Sequence, residues 1–236
     1  MKDMGEASVI LGVKVVKKGD SILLSQGHYV ERLFKKFDYY DCKFVTTPYN
    51  VNSQLKQNKG DYFAQSRYAQ IIGSLLHLMN FSRPHIGYVV SRLSRYTHSP
   101  NQNHWEALAR LMRYLRGTMD YGIEYSGFLV VLEGHSDANW ISNLDETKSS
   151  SGYVFTLGGG AIAWRSVRKS IIARSTMESE FVALEMTRTE AEWLRNFLVN
   201  IPLGMKPTPS VSIHYSSQLA IAIAKNKSYN GKNRHI

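Results

Sequence analysis

A chain of 236 residues is long for one compact domain and comfortable for two, each able to bury its own core. With 43% apolar and 11% aromatic residues it is excluded from the disordered and fibrous classes, and 29 Lys+Arg against 19 Asp+Glu (net +10) favour a polyanionic partner such as nucleic acid over an acidic small substrate. The single cysteine, Cys42, excludes an intramolecular disulfide framework and a cysteine-rich zinc site. No apolar run reaches transmembrane length and the first residues lack the apolar core of a signal peptide, so the chain reads as intracellular, in cytoplasm or nucleus, with no membrane partner.

In chain order, Val9–Val16 and Ser21–Ser25 are β-prone runs joined by a Gly-Asp pair, which predicts an antiparallel ribbon. Tyr29, Leu33, Phe34 and Phe37 follow at helical spacing, and the helix stops near Asp38 to Cys42. Residues 49–62 are polar throughout and read as a solvated connector. From Tyr68 to Thr118 three apolar stripes predict a small helical bundle, with Pro84 and Pro100 marking the starts of its second and third helices. The polar side of this bundle is one-signed: Arg83, Arg92, Arg95, Arg110, Arg113 and Arg116 face a single acid, Glu106. Clustered arginines repel unless a polyanion neutralises them, so these six are expected to contact phosphates.

Beyond Gly117 the pattern turns from helix to strand, and a boundary is expected between 118 and 128, giving domains at 1–120 and 121–236. A strand at 128–136 ends at Asp137. Ser151–Leu157 and Ala161–Trp164 form a hairpin about a glycine turn, after which Arg168 and Lys169 add a second basic cluster on a strand-to-helix connection, again a candidate nucleic-acid contact. Ser175 and Glu178 fit a capping box, which makes Glu178 structural. Glu180 shares a stripe with Leu184, Thr187, Ala191, Leu194 and Leu198. An acid on an apolar stripe is expensive unless a cation or water reaches it, so Glu180 and the strand-end Asp137 are the candidate metal ligands. After a proline-bearing linker, a strand at 211–215 and a helix at 218–225 complete a mixed α/β arrangement.

These segments carry a family resemblance over essentially the whole chain. Tyr68-Ala-Gln-Ile-Ile-Gly-Ser-Leu-Leu76, Arg83-Pro-His-Ile86, His104-Trp-Glu-Ala107 and Arg113-Tyr-Leu-Arg-Gly-Thr118 resemble the thumb and connection region of reverse transcriptase in the polyprotein of copia-type retrotransposons. Ser136-Asp-Ala-Asn-Trp140, Ser149-Ser-Ser-Gly-Tyr153, Ala161-Ile-Ala-Trp164 and Ser175-Thr-Met-Glu-Ser-Glu-Phe-Val-Ala-Leu184 resemble its ribonuclease H domain. The fold implied is a ribonuclease H-like mixed sheet with helices, truncated at its end and preceded by a β-hairpin and the helical region.

The resemblance also implies magnesium-dependent cleavage of RNA in an RNA–DNA hybrid, with Asp137 and Glu180 as catalytic and metal-binding acids and the rest of a Pol polyprotein as a further partner. Ser216 stands where the family has its third aspartate, a fourth acid would follow Ile236, and the polymerase Tyr-Val-Asp-Asp motif is absent. A catalytically defective fragment is therefore expected, with a non-catalytic nucleic-acid-binding module or a pseudogene product as alternatives. Arg113-Tyr-Leu-Arg116 also matches the Arg-x-Leu-Arg pattern of secreted oomycete effectors, a remote alternative because that motif follows a signal peptide near the amino end.

Overall fold

The computed structural model describes residues 8–50, 53, 55–60, 62–126, 131–139, 150–169, 173, 175–201 and 210–215. The chain divides into two compact units, Met1–Ser126 and Gly127–Ile236.

The first unit opens with strands β1 (Val9–Ile10), β2 (Val13–Lys18) and β3 (Ser21–Ser25). The expected run from Val9 to Val16 is split, because Leu11 and Gly12 both take positive φ (52° and 79°) and turn the chain back on itself. Gly19, at φ 57°, turns β2 into β3 as the Gly-Asp pair predicts. Strand β4 (Gly122–Tyr125) pairs antiparallel with β3, giving the order β1-β2-β3-β4. That pairing keeps residues 121–126 with the first unit, so the division falls at 126/127 rather than at 120/121.

Helix α1 (Gly27–Phe37) ends where Asp38 adopts the left-handed conformation and returns its N–H to the Phe34 carbonyl. Helices α2 (Gln65–Phe81), α3 (Gly87–Ser94) and α4 (Gln102–Gly117) are the three expected helices, with Pro84–Ile86 a short 3-10 turn leading into α3. Their apolar stripes make one core, from Phe34 through Ile71, Leu75 and Leu93 to Leu111 and Leu115. The connector is not simply solvated: Leu55 is fully buried in this core and its carbonyl accepts from the Tyr96 hydroxyl.

The second unit is a sheet of order β7-β6-β5-β8 with helix α5 (Thr176–Asn200) packed on β5 and β6. Strands β5 (Glu133–Asn139), β6 (Ser150–Leu157) and β7 (Gly160–Arg168) form an antiparallel meander, whose last turn is made by Gly158 and Gly159 at positive φ. Strand β8 (Ser212–Tyr215) pairs parallel to β5, with α5 in the crossover between them. Leu132, Tyr153, Phe155, Ala191 and Leu194 form its core. A mixed α/β fold is therefore observed, consistent with a ribonuclease H-like arrangement. The expected strand residues 128–130, the linker 202–209 and the helix 218–225 lie outside the described residues. No helix among the described residues is long and apolar enough to cross a membrane.

Candidate functional site

The alternation of β5 positions the first acid. Leu132, Gly134 and Ser136 are buried, whereas Glu133, His135 and Asp137 are exposed, as the period of two demands of a strand covered on one side. Asp137 does not end the strand, because pairing with β6 continues through Ala138 and Asn139. It does lie one residue beyond the last described β5–β8 pair, Ser136 with Tyr215. Its partner on β6 is Gly152, so no cross-strand side chain covers the carboxylate on that flank.

Helix α5 supplies the second acid. Ser175 caps it by accepting the Glu178 backbone N–H at 3.1 Å, which is the serine half of the expected capping box. Thr187, Ala191 and Leu194 are buried along the predicted stripe, and Glu180 lies at its amino-terminal end, half-buried. Glu180 Oε2 and the Tyr215 hydroxyl are both enclosed, and the phenol lies within hydrogen-bonding influence of that carboxylate. The Tyr215 phenol is driven far above its ordinary range, first by burial, then by a hydrogen bond with Glu180 and by the charges of Glu180 and Asp137. Both candidate acids thus act on the one phenol. Tyr215 was not foreseen as a site residue; the signal was its position one before Ser216. Ser216 itself lies outside the described residues.

Lys169 corrects an expectation. It is 8% exposed, and its ammonium donates to the Ser179 carbonyl, so it is not a surface phosphate contact. Burial pushes its pKa down to about 8, against the opposing pull of Glu180 and Glu178. Arg168 belongs to β7, opposite Ser150, rather than to a connection, and is half-buried with its Nε enclosed.

The arginines of the first unit are also largely spent on the fold. Arg83 is fully buried and donates to the Thr118 and Met119 carbonyls at 2.6 and 2.8 Å, which satisfies the end of α4. Arg92 is buried, donates to the Tyr88 hydroxyl and stacks over Tyr49. Arg95 is the half-buried cap of α3. Arg110, Arg113 and Arg116 lie along α4 as the spacing predicts, but donate to Thr47 Oγ1, the Lys43 carbonyl and the Tyr40 carbonyl at 2.7, 2.9 and 3.0 Å. The irregular segment 38–48 has few ladder partners of its own, and these guanidinium groups provide them. Arg83 and Arg92 are withdrawn as phosphate contacts by burial, and the α4 set has a structural task that charge counting could not reveal.

No family model matches the chain. Among curated proteins it is 37% identical over its whole length to a retrovirus-related Pol polyprotein from a tobacco transposon (Nicotiana tabacum), and 31% and 32% identical, again over its whole length, to two such polyproteins of Arabidopsis thaliana transposons. It spans 18%, 16% and 16% of their lengths. It is also 38% identical, over 54% of this chain and 90% of the other, to a protein of Plasmopara viticola named a secreted RxLR effector. With that full-length similarity, the chain belongs to the retrovirus-related Pol polyproteins of copia-type transposons.

Proposed function

We propose that this chain derives from the join between reverse transcriptase and ribonuclease H in a transposon polyprotein, and that its second unit is a ribonuclease H-type site depleted of carboxylates. The observation that carries the reading is the enclosed Glu180 carboxylate beside the Tyr215 phenol, on which Asp137 also acts. Two carboxylates form an all-oxygen set suited to magnesium, and Asp137 and Glu180 would hold the ion. When bound, magnesium activates water and stabilises the leaving oxygen of a phosphodiester. Serine at 216 offers no anionic oxygen, and Lys169 places a competing positive charge beside Glu180. The site is therefore weak for magnesium and defective in cleavage, and its nucleic-acid partner is an RNA–DNA hybrid.

The test is a labelled hybrid incubated with purified protein at millimolar-range magnesium. The native chain should leave the RNA strand intact, while Ser216→Asp should tighten magnesium binding measured by calorimetry, a gain that Asp137→Asn removes. Cleavage by the native chain that Asp137→Asn and Glu180→Gln abolish would overturn the defect. Unchanged magnesium affinity in Ser216→Asp would overturn the site. The effector reading is not favoured, because Arg113 and Arg116 of the Arg-x-Leu-Arg pattern hold loop carbonyls from within α4.

A further inference from the structure

We propose that Glu133, His135 and His214 form a site for a borderline divalent transition metal, with zinc as the reference ion, that clasps β8 to β5. The two histidines are register partners in the parallel β5–β8 ladder. Their rings stack with centroids 4.8 Å apart and planes 16° from parallel. Glu133 precedes His135 by two residues on β5 and so shares its side of the strand. All three side chains are exposed, and a ligand atom from each lies within 4.8 Å of the others.

Sheet geometry does the assembling. Neighbouring strands lie roughly 4.8 Å apart, so paired residues present their side chains at a spacing one metal ion can bridge. Metal–ligand distances of about 2.0–2.2 Å give ligand separations of roughly 3.3 Å in a tetrahedron, which exposed side chains reach by rotating about their χ angles. Two imidazoles and one carboxylate are a donor set for zinc and its neighbours, not for magnesium, which takes oxygen and water. The fourth position is left to water. The ion joins groups from two strands distant in sequence, so its binding holds β8 in register.

The site is independent of the magnesium reading, and the test separates them. The purified full chain is titrated with zinc against a chromophoric chelator and with cobalt for its visible d–d absorption, and amide exchange of residues 212–215 is followed with and without zinc. One equivalent should bind in the micromolar range and slow exchange in β8, and Glu180→Gln should bind as the native chain does. His135→Ala with His214→Ala should lose well over an order of magnitude in affinity. Glu133→Gln keeps both rings and should lose less, which preserves the test if the double variant fails to fold. No zinc bound in that range, or equal affinity in the double variant or in Glu133→Gln, would overturn the proposal by assigning any bound metal to other histidines or Cys42.

Discussion

The Thr187 hydroxyl on α5 and the Ser136 hydroxyl on β5 share a hydrogen bond of 2.8 Å, and both residues are buried. Thr187 Oγ1 is also within 2.8 Å of the Ala183 carbonyl, so the pair continues into the helix backbone. It pins the helix that carries Glu180 to the strand residue immediately before Asp137. Thr187→Val should cost about 1–3 kcal/mol in urea denaturation, since it strands a buried hydroxyl. Pairing it with Ser136→Ala should cost less than the two single changes added together.

Gly134 is held to glycine by a neighbour. A Cβ built there would meet a ring carbon of the fully buried Phe155, its partner on β6, at 2.4 Å. Gly134→Ala should therefore lose about 1–3 kcal/mol through overpacking. Phe155→Leu in the same background should recover part of that loss, and thermal denaturation of the three variants reads both effects.

The α4 arginines lead to an expectation opposite to that drawn from charge. Arg116 donates to the Tyr40 carbonyl at 3.0 Å and lies over the Tyr40 ring at 5.0 Å, and Arg113 donates to the Lys43 carbonyl. Each replacement by alanine should lower stability by about 1–3 kcal/mol. Hybrid binding, measured by fluorescence anisotropy where the variants remain folded, should keep its salt slope. A slope reduced by about one per arginine would restore these residues as phosphate contacts.

The sequence was most legible where a period or a cap carried the information. The α5 stripe through Thr187, Ala191 and Leu194, the Ser175 cap and the glycine hairpin at 158–159 all follow from local chemistry. Arg83 was misread because its partners, the carbonyls at Thr118 and Met119, lie far along the chain and carry no side-chain signature. Lys169 was misread for the same reason: its acceptor is a backbone carbonyl on α5. Tyr215 was missed because its relation to Glu180 exists only once a parallel strand has been added beside β5.

His104 should make the first unit sensitive to acid. It is fully buried, stacks on Tyr96 with ring centroids 3.9 Å apart, and its Nδ1 accepts the Asn101 N–H at 3.0 Å, completing a reciprocal cap on α4. Burial holds its pKa below the ordinary value of 6.5. Below that value the unfolded chain takes up a proton that the folded chain refuses, so stability falls as pH drops from there toward the folded pKa. The slope contributed is at most about 1.4 kcal/mol per pH unit. His104→Gln keeps an acceptor at the capping position and should flatten the acid limb in denaturation curves collected from about pH 7 downward.

Lys169 should act on the alkaline side. With a folded pKa of about 8 against an ordinary 10.5, the unfolded chain holds the proton longer, so stability rises as pH climbs between those values. The rise should vanish in Lys169→Met. Difference curves between the two proteins isolate it from the buried tyrosines, and an unaltered profile would show that burial does not depress the Lys169 ammonium.

The parallel seam between β5 and β8 also sets an order of events. The meander β5-β6-β7 joins neighbours in sequence, whereas β8 can dock only after the chain has traversed the whole of α5. Loop closure of that length makes the seam late to form and early to open. During synthesis Asp137 and Glu180 therefore exist without Tyr215 for as long as the ribosome takes to reach it. A protease nick in the stretch between α5 and β8 would leave the three-stranded meander and α5 with their core largely intact, and would release the strand that gives those acids their shared neighbour.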